Sequence, residues 1–227
     1  MDQFFQIALN PTCDTSPPFD QKDMDEFLAM VTAALAAAPG LSFVRAVYLI
    51  SEQMTKAALQ EDDRGFVCNR GCGFCCHQLV SCTELEWVEI RGFLVSLEQK
   101  RRYHVGKALK KLRGQFMEYI RTHPIKKSDA ETSMKVRSHW AGKPCPFLGQ
   151  EGECVIYPVR PFECRAYYST EVCTDLLPGH MTIYPFVWQK IASTVLVDEQ
   201  MKLLPEGAEI PYLPLPFWLD TDELLKI

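Results

Sequence analysis

The sequence predicts a mainly α-helical protein with few or no strands and an irregular cysteine-rich core. Apolar residues recur at helical spacing through most of the chain, and no strand-rich stretch is long enough for a large sheet. The 10 cysteines are clustered instead of being evenly spread. With 227 residues, of which 47% are hydrophobic, the chain can bury a substantial core. We therefore expect a single domain over residues 1–227.

The N-terminal part of the chain predicts two helices within residues 20–62. Asp20 can cap the first helix, and Pro39-Gly40 is expected to end it. Ser42 precedes the second helix, which has its own apolar stripe. Residues 1–19 contain prolines and no clear period, so we expect an extended arm there.

Residues 68–168 hold two cysteine groups separated by a helical insert. Thr83 and Glu86 fit a capping box at the start of the first insert helix. We interpret the glutamates of this helix as a solvent face: Glu84, Glu86 and Glu89. The following helix has a basic side, interpreted as solvated surface, formed by Lys107, Lys110, Lys111 and Arg113.

The remaining segments carry weaker signals. The polar residues 123–143 predict a loop, and the proline-rich residues 144–168 predict irregular backbone with turns or a small hairpin. Residues 169–227 are expected to form a C-terminal helix, over 181–204, followed by an extended tail rich in proline and aromatic residues.

The first cysteine group places four thiols in a short stretch, at Cys68, Cys72, Cys75 and Cys76. Such density indicates either disulfides or a soft or borderline metal such as zinc or iron. Cys72 and Cys75 have the C-x-x-C gap of zinc knuckles and iron–sulfur loops. Neighbouring side chains of an extended backbone diverge, so Cys75 and Cys76 bind one ion only if a special turn is present. Otherwise one of them packs, or the two serve different centres.

A second group, Cys145, Cys154 and Cys164, follows the helical insert. We expect the chain to fold back and assemble both groups into one composite site. The N-terminus lacks the features of a secretory signal, and no apolar run reaches the roughly 18 residues that span a bilayer. We therefore expect no membrane association and a cytoplasmic location, where clustered cysteines bind metals more often than they form disulfides.

Several neighbouring residues are further candidates. His77, Cys82 and Cys173 are candidate additional ligands, although a hydrogen-bonding role for the histidine and buried free thiols for the two cysteines are the simpler interpretations. Arg160 and Arg165 lie close to Cys164 in the sequence. Their guanidinium groups could balance the charge of several thiolates or bind an anionic substrate.

Together, these residues resemble a known family. Cys72-Gly-Phe-Cys75-Cys76 is followed by Cys145-Pro-Phe-Leu and by Cys154-Val-Ile-Tyr-Pro-Val-Arg-Pro-Phe-Glu-Cys164-Arg. This pattern resembles the CxxCxxCC family of YkgJ-type cysteine cluster proteins, described as zinc- or iron-chelating and grouped with flagellin N-methylase-like proteins. The resemblance covers residues 68–168. It implies that the metal-binding set is Cys68, Cys72, Cys75, Cys76, Cys145, Cys154 and Cys164.

Three functions fit these observations: an iron or iron–sulfur redox enzyme, a structural zinc module that binds a protein partner, and a metal storage or delivery protein. The only Gly-x-Gly is Gly71-Cys-Gly73, inside the cysteine motif, so a conventional Rossmann methyltransferase is not expected. The net charge of -5 provides no basic footprint for nucleic acid. We expect zinc or iron as the cofactor, and a small molecule or protein as a further partner.

Overall fold

The computed structural model describes residues 18–68, 71–123, 130–174, 181–183, 185–205 and 213–215. Over these residues the protein is mainly helical, as the sequence predicts. The helices are α1 (Gln21–Ala37), α2 (Phe43–Glu61), α3 (Glu84–Ser96), α4 (Gln99–Thr122), α5 (Ala130–Trp140), α6 (Phe162–Arg165) and α7 (Val187–Lys202). The strands are β1 (Ser81–Cys82), β2 (Tyr167–Ser169), β3 (Met181–Ile183) and β4 (Leu213–Pro214). None of the described helices is long and apolar enough to cross a membrane.

The chain divides into two compact units. Among the described residues, unit 1 comprises 71–123, 130–161 and 213–215, and unit 2 comprises 18–68, 162–174, 181–183 and 185–205. Residues 1–17 of the predicted arm lie outside the described residues, as does most of the predicted tail. A single domain over the whole chain stays a prediction.

Unit 2 is built on α1, α2 and α7, which pack against one another. The Asp20 side chain accepts a hydrogen bond from the Asp23 backbone N–H, and the Asp23 side chain accepts one from the Asp20 N–H, each at 3.0 Å. The hydroxyl of Ser42 accepts from the Arg45 N–H at 3.2 Å. Both caps satisfy backbone donors that have no partner within the helix, which is why the helices begin where the sequence predicts.

The C-terminal helix of unit 2 is shorter than the sequence predicts. Met181–Ile183 forms a strand antiparallel to β2, and α7 begins only at Val187. The prediction was wrong for this first part because a strand draws its hydrogen bonds from a distant partner. Pro185, which lacks an N–H, separates the two elements. The predicted inward side chains of α7 are buried: Ile191, Val195 and Leu196.

Unit 1 has a hydrophobic core between its helices, made of Leu79, Phe116, Ile120, Val136 and Trp140. The predicted loop at 123–143 was wrong, because Ala130–Trp140 forms α5. Trp140 meets Phe116 edge to face, with ring centroids 5.0 Å apart, and Val136 is buried one turn earlier. This helix depends on tertiary packing, since its polar sequence gives only a weak helical signal of its own.

Glu86 is buried, at 1% exposure, although the sequence placed it on a solvent face. The capping box explains the difference. The Glu86 carboxylate accepts hydrogen bonds from the Thr83 backbone N–H at 2.9 Å and from the Thr83 hydroxyl at 3.1 Å. These bonds satisfy the carboxylate at the N-terminal end of α3, where helix partial charge also favours an anion. Glu84 is exposed, as predicted, and Glu89 is half-buried.

A short part of the predicted tail is extended and belongs to unit 1. Leu213–Pro214 pairs antiparallel with Ser81–Cys82, and the Leu215 N–H donates to the Val80 carbonyl at 2.9 Å. Leu215 is buried. This segment therefore forms a short antiparallel pair with residues 80–82, which follow the first cysteine group.

The imidazole of His139 provides a pH-dependent element in unit 1. It stacks on Tyr119, with ring centroids 4.1 Å apart, and its Nε2 lies 3.0 Å from the Lys143 ammonium nitrogen. Partial desolvation lowers the pKa of His139, and the charges of Lys143 and His123 lower it further. A folded-state pKa below the unfolded value favours the neutral ring, so this contribution to stability is present above pH ~6.5 and is lost as the pH falls.

We expect the melting temperature of the wild-type protein to fall more between pH 7 and pH 5.5 than that of a His139→Phe variant. Phenylalanine retains an aromatic ring against Tyr119 but has no proton to gain. Thermal unfolding of both proteins at the two pH values measures the difference. Equal losses would show that protonation of His139 does not oppose folding.

Candidate metal centre

The first cysteine loop of unit 1, residues 71–77, is a tight turn. Gly71 has a φ of 97°, a backbone conformation that L side chains rarely adopt. Phe74–His77 then forms a 3-10 turn, in which the Cys76 N–H donates to the Gly73 carbonyl at 3.1 Å and the Gln78 N–H donates to the Cys75 carbonyl at 3.2 Å. The adjacent thiols of Cys75 and Cys76 therefore do not sit on an extended backbone. The divergence expected of neighbouring side chains on an extended backbone therefore does not apply to this pair.

The second cysteine loop, residues 145–154, is a small hairpin, which confirms the expectation of turns in this region. Leu148 and Cys154 form an isolated antiparallel bridge, and the Val155 N–H donates to the Phe147 carbonyl at 2.8 Å. The hairpin turns at Gly152, whose φ is 81°. Cys145 lies just before the hairpin and Cys154 at its end, so the turn brings Cys154 back toward Cys145.

The two loops dock on each other through their backbones. The Cys145 N–H donates to the Cys76 carbonyl at 2.6 Å, and the Gly142 N–H donates to the His77 carbonyl at 2.9 Å. A Cβ at Gly73 would lie 3.1 Å from the Gly152 carbonyl oxygen, a separation tighter than most real contacts. In the sequence, Gly152 between Glu151 and Glu153 is an ordinary turn signal. Only the docking of the two loops shows that its backbone also lies close to Gly73.

The thiols of these loops lie close enough to influence one another's ionisation. The pKa of Cys76 is raised to about 11, mainly by burial; the neighbouring Cys154 and Cys72 contribute to the rise, and Arg160 opposes it. Burial also raises the pKa of Cys145, a hydrogen bond from the Phe147 backbone opposes the rise, and Cys76 and Cys154 add to it. Cys76 is thus coupled electrostatically to three other predicted ligands of unit 1, Cys72, Cys145 and Cys154.

Two predicted ligands, Cys68 and Cys164, lie in unit 2. The Cys68 sulfur accepts a hydrogen bond from the Ser169 N–H at 3.1 Å, and Cys164 is half-buried on α6. The guanidinium of Arg165 lies 4.2 Å from the centroid of the Tyr48 ring and forms an ion pair with Glu52 at 3.3 Å. A role for Arg165 in balancing thiolate charge stays a prediction, as does the composite site.

The other candidates have their own local surroundings. His77 Nδ1 lies 3.2 Å from the Gly73 carbonyl oxygen. With the proton on Nδ1, this contact is a hydrogen bond that leaves Nε2 with its lone pair, the arrangement that metal-ligating histidines usually have. Cys82 is fully buried in β1, and Cys173 is half-buried. The guanidinium of Arg160 lies 4.4 Å from the centroid of the Tyr157 ring.

The donor chemistry of unit 1 fits zinc or iron, since both bind cysteine thiolates. The cysteines of the described residues are free thiols. Among those residues, no three Cys, His, Asp or Glu side chains are already placed to hold one ion. Ligation therefore requires the side chains to turn toward one another, which couples metal binding to the conformation of the two loops.

Docked, thiol-rich loops in a mainly helical protein are typical of metal-binding proteins. The family comparison agrees with this class. Residues 67–181 match the CxxCxxCC family model, described as a "putative zinc- or iron-chelating domain". This match spans half of the chain, and the chain belongs to that family. No curated protein and no solved structure matches it.

Proposed function

We propose that the protein holds a zinc or iron ion in unit 1, ligated by Cys72, Cys76, Cys145 and Cys154. The docking of the two loops carries this proposal. The hydrogen bond from the Cys145 N–H to the Cys76 carbonyl joins cysteines that are far apart in the sequence. Thiolates placed close together repel one another, so a shared site without a cation disfavours their formation. A bound cation offsets this repulsion, which is why thiols gathered in one place indicate a metal site.

Cys75 is the next candidate ligand, because the 3-10 turn carries it beside Cys76. Cys68 and Cys164 complete the set if the cysteines of unit 2 belong to the same centre. His77 and Cys173 remain candidate additional ligands, whereas we assign Cys82, which is fully buried in β1, to packing. This wider set has enough thiols for a cubane cluster, which takes four, or for more than one ion.

Three functions follow from different forms of the centre. Iron or an iron–sulfur cluster supports a redox or iron-dependent enzyme. Zinc with four closed ligands supports a structural module that binds a protein partner. An exchangeable ion supports storage or delivery. The exposure of Cys72, and the partial exposure of Cys75 and Cys154, favour a centre that another molecule can approach.

Anaerobic purification followed by metal analysis and a visible spectrum tests the proposal and separates these forms. We expect at least one zinc or iron per chain. Brown protein with iron and acid-labile sulfide would identify an iron–sulfur protein, whereas colourless protein with stoichiometric zinc would identify a zinc module. Iron without sulfide would indicate a mononuclear or dinuclear site. Folded protein that contains neither metal, and takes up neither when supplied, would overturn the proposal.

A further inference from the structure

A cleft lies beside Cys145 in unit 1, between α4 and the residues that lead into the second cysteine loop. Its volume is about 360 Å³, which is within the range of small-molecule sites, roughly 300–1,000 Å³. One face of α4 forms the first wall, through Ala108, Lys111, Leu112 and Gln115. The second wall is formed by Lys143, Pro144, Cys145, Pro146 and Leu148.

The charged residues of this cleft are both lysines, one on each wall. Lys111 is exposed. Lys143 contacts the His139 ring nitrogen at 3.0 Å and lies over the Trp140 ring, 4.0 Å from its centroid. Within the part of the chain that the structure describes, neither lysine forms an ion pair with a carboxylate, and no acidic side chain lines the cleft. The cleft therefore presents positive charge that is not neutralised by the walls themselves.

The rest of the lining is mostly apolar. Leu112, Pro144, Pro146 and Leu148 provide aliphatic surface, and Gln115 adds an amide that can both donate and accept hydrogen bonds. A ligand that suits this lining has one anionic end, near the lysines, and a compact apolar body. It would contact Cys145, so it would lie next to one of the proposed metal ligands.

We propose that this cleft binds a small organic carboxylate, with its charged group between Lys111 and Lys143 and its apolar body against Leu112, Pro144 and Pro146. The site is separate from metal ligation, because the groups that recognise the ligand are two ammonium groups and an aliphatic wall. It goes beyond the metal-binding function and adds a class of small molecule that would bind beside the centre.

Benzoate is a suitable probe, because it combines a carboxylate with a compact apolar body. We expect benzoate, added to the full-length protein as purified, to bind saturably and to shift the backbone NMR signals of Leu112, Gln115 and Leu148. Benzyl alcohol has a similar body without the charge and should bind about tenfold more weakly, since a charge-assisted hydrogen bond is lost. Equal binding of the two compounds, or no saturable binding of benzoate, would overturn the proposal.

Two substitutions locate the charge recognition. Lys111→Gln and Lys143→Gln should each weaken benzoate binding about tenfold. Lys110→Gln is the matched control, because Lys110 is the same residue type on the same helix but does not line the cleft. Its affinity should stay within about twofold of the wild type. An equal loss in Lys110→Gln would indicate a diffuse effect of α4 charge and would contradict a built site.

The same variants separate this inference from the proposed metal site. Benzoate that coordinated a metal directly would keep its affinity in Lys111→Gln, and that result would overturn the cleft proposal while leaving the metal proposal intact. If the purified protein proved free of metal, lysine-dependent binding of benzoate would still support the cleft. Lys111 is exposed, so its substitution should not disturb folding.

Discussion

Removing the metal is expected to lower the melting temperature of the protein by roughly 10 °C or more, since metal binding and folding are linked. The loops of unit 1 contain little regular structure apart from a 3-10 turn and an isolated bridge. Without a cation, the thiols of Cys76 and Cys145 are left neutral in a shared site, and the two loops are joined by backbone hydrogen bonds without a metal crosslink. The effect should therefore be largest at these loops.

Thermal unfolding before and after chelation measures the change, and hydrogen exchange shows where it occurs. We expect exchange to accelerate at the Cys76, Cys145 and Val155 amides. The amides of α1 and α2 serve as internal controls, because these helices have caps and buried faces of their own. Re-addition of the metal should restore both observables. Unchanged stability and exchange, in protein shown to have lost its metal, would contradict a centre that organises the loops.

Cys76→Ser and Cys145→Ser are each expected to reduce metal affinity by more than tenfold. Loss of a residue that only supports a ligand typically costs about 10- to 100-fold, so loss of a ligand itself should cost at least as much. Serine preserves the approximate shape of the side chain but does not provide a thiolate. The measurement is metal content after dialysis against a weak competing chelator, together with the melting temperature.

Cys82→Ala is the matched control for these variants. Cys82 is a fully buried thiol in β1, so alanine should cost some packing but leave the metal content unchanged. Cys164→Ser, in unit 2, tests the composite site, because unchanged metal content in this variant would contradict a centre that needs both groups of cysteines. Stoichiometric metal in a folded Cys76→Ser or Cys145→Ser variant would contradict the ligand set.

Local chemistry explains why much of the fold could be predicted. The caps at Asp20, Ser42 and Thr83 are short-range hydrogen bonds, so each is visible within four residues of sequence. The apolar period of α2 and α4 likewise marks a buried face without knowledge of its partner. The cysteine spacing identified the family for the same reason, since ligands that share a tight loop must be close in sequence.

The errors arose where distant residues decide local structure. α5 forms because Trp140 packs on Phe116, a contact that the polar sequence of α5 does not predict. The strand at Met181–Ile183 forms because it pairs with Tyr167–Ser169, a segment that is not its neighbour in the sequence. Glu86 is the exception: its capping box with Thr83 was visible in the sequence, whereas the burial of its carboxylate was not.

The sequence by itself therefore determined the helical class, the capped starts of α1, α2 and α3 and the metal-binding family of this protein, because each depends on residues that are neighbours along the chain. Only the tertiary structure decided which thiols come together and what lies beside them. The docking of Cys145 on Cys76, and the cleft lined by both Lys111 and Lys143, join residues that are far apart in the sequence. Such pairings are set by the packing of the insert, whose contacts no local pattern in the sequence encodes.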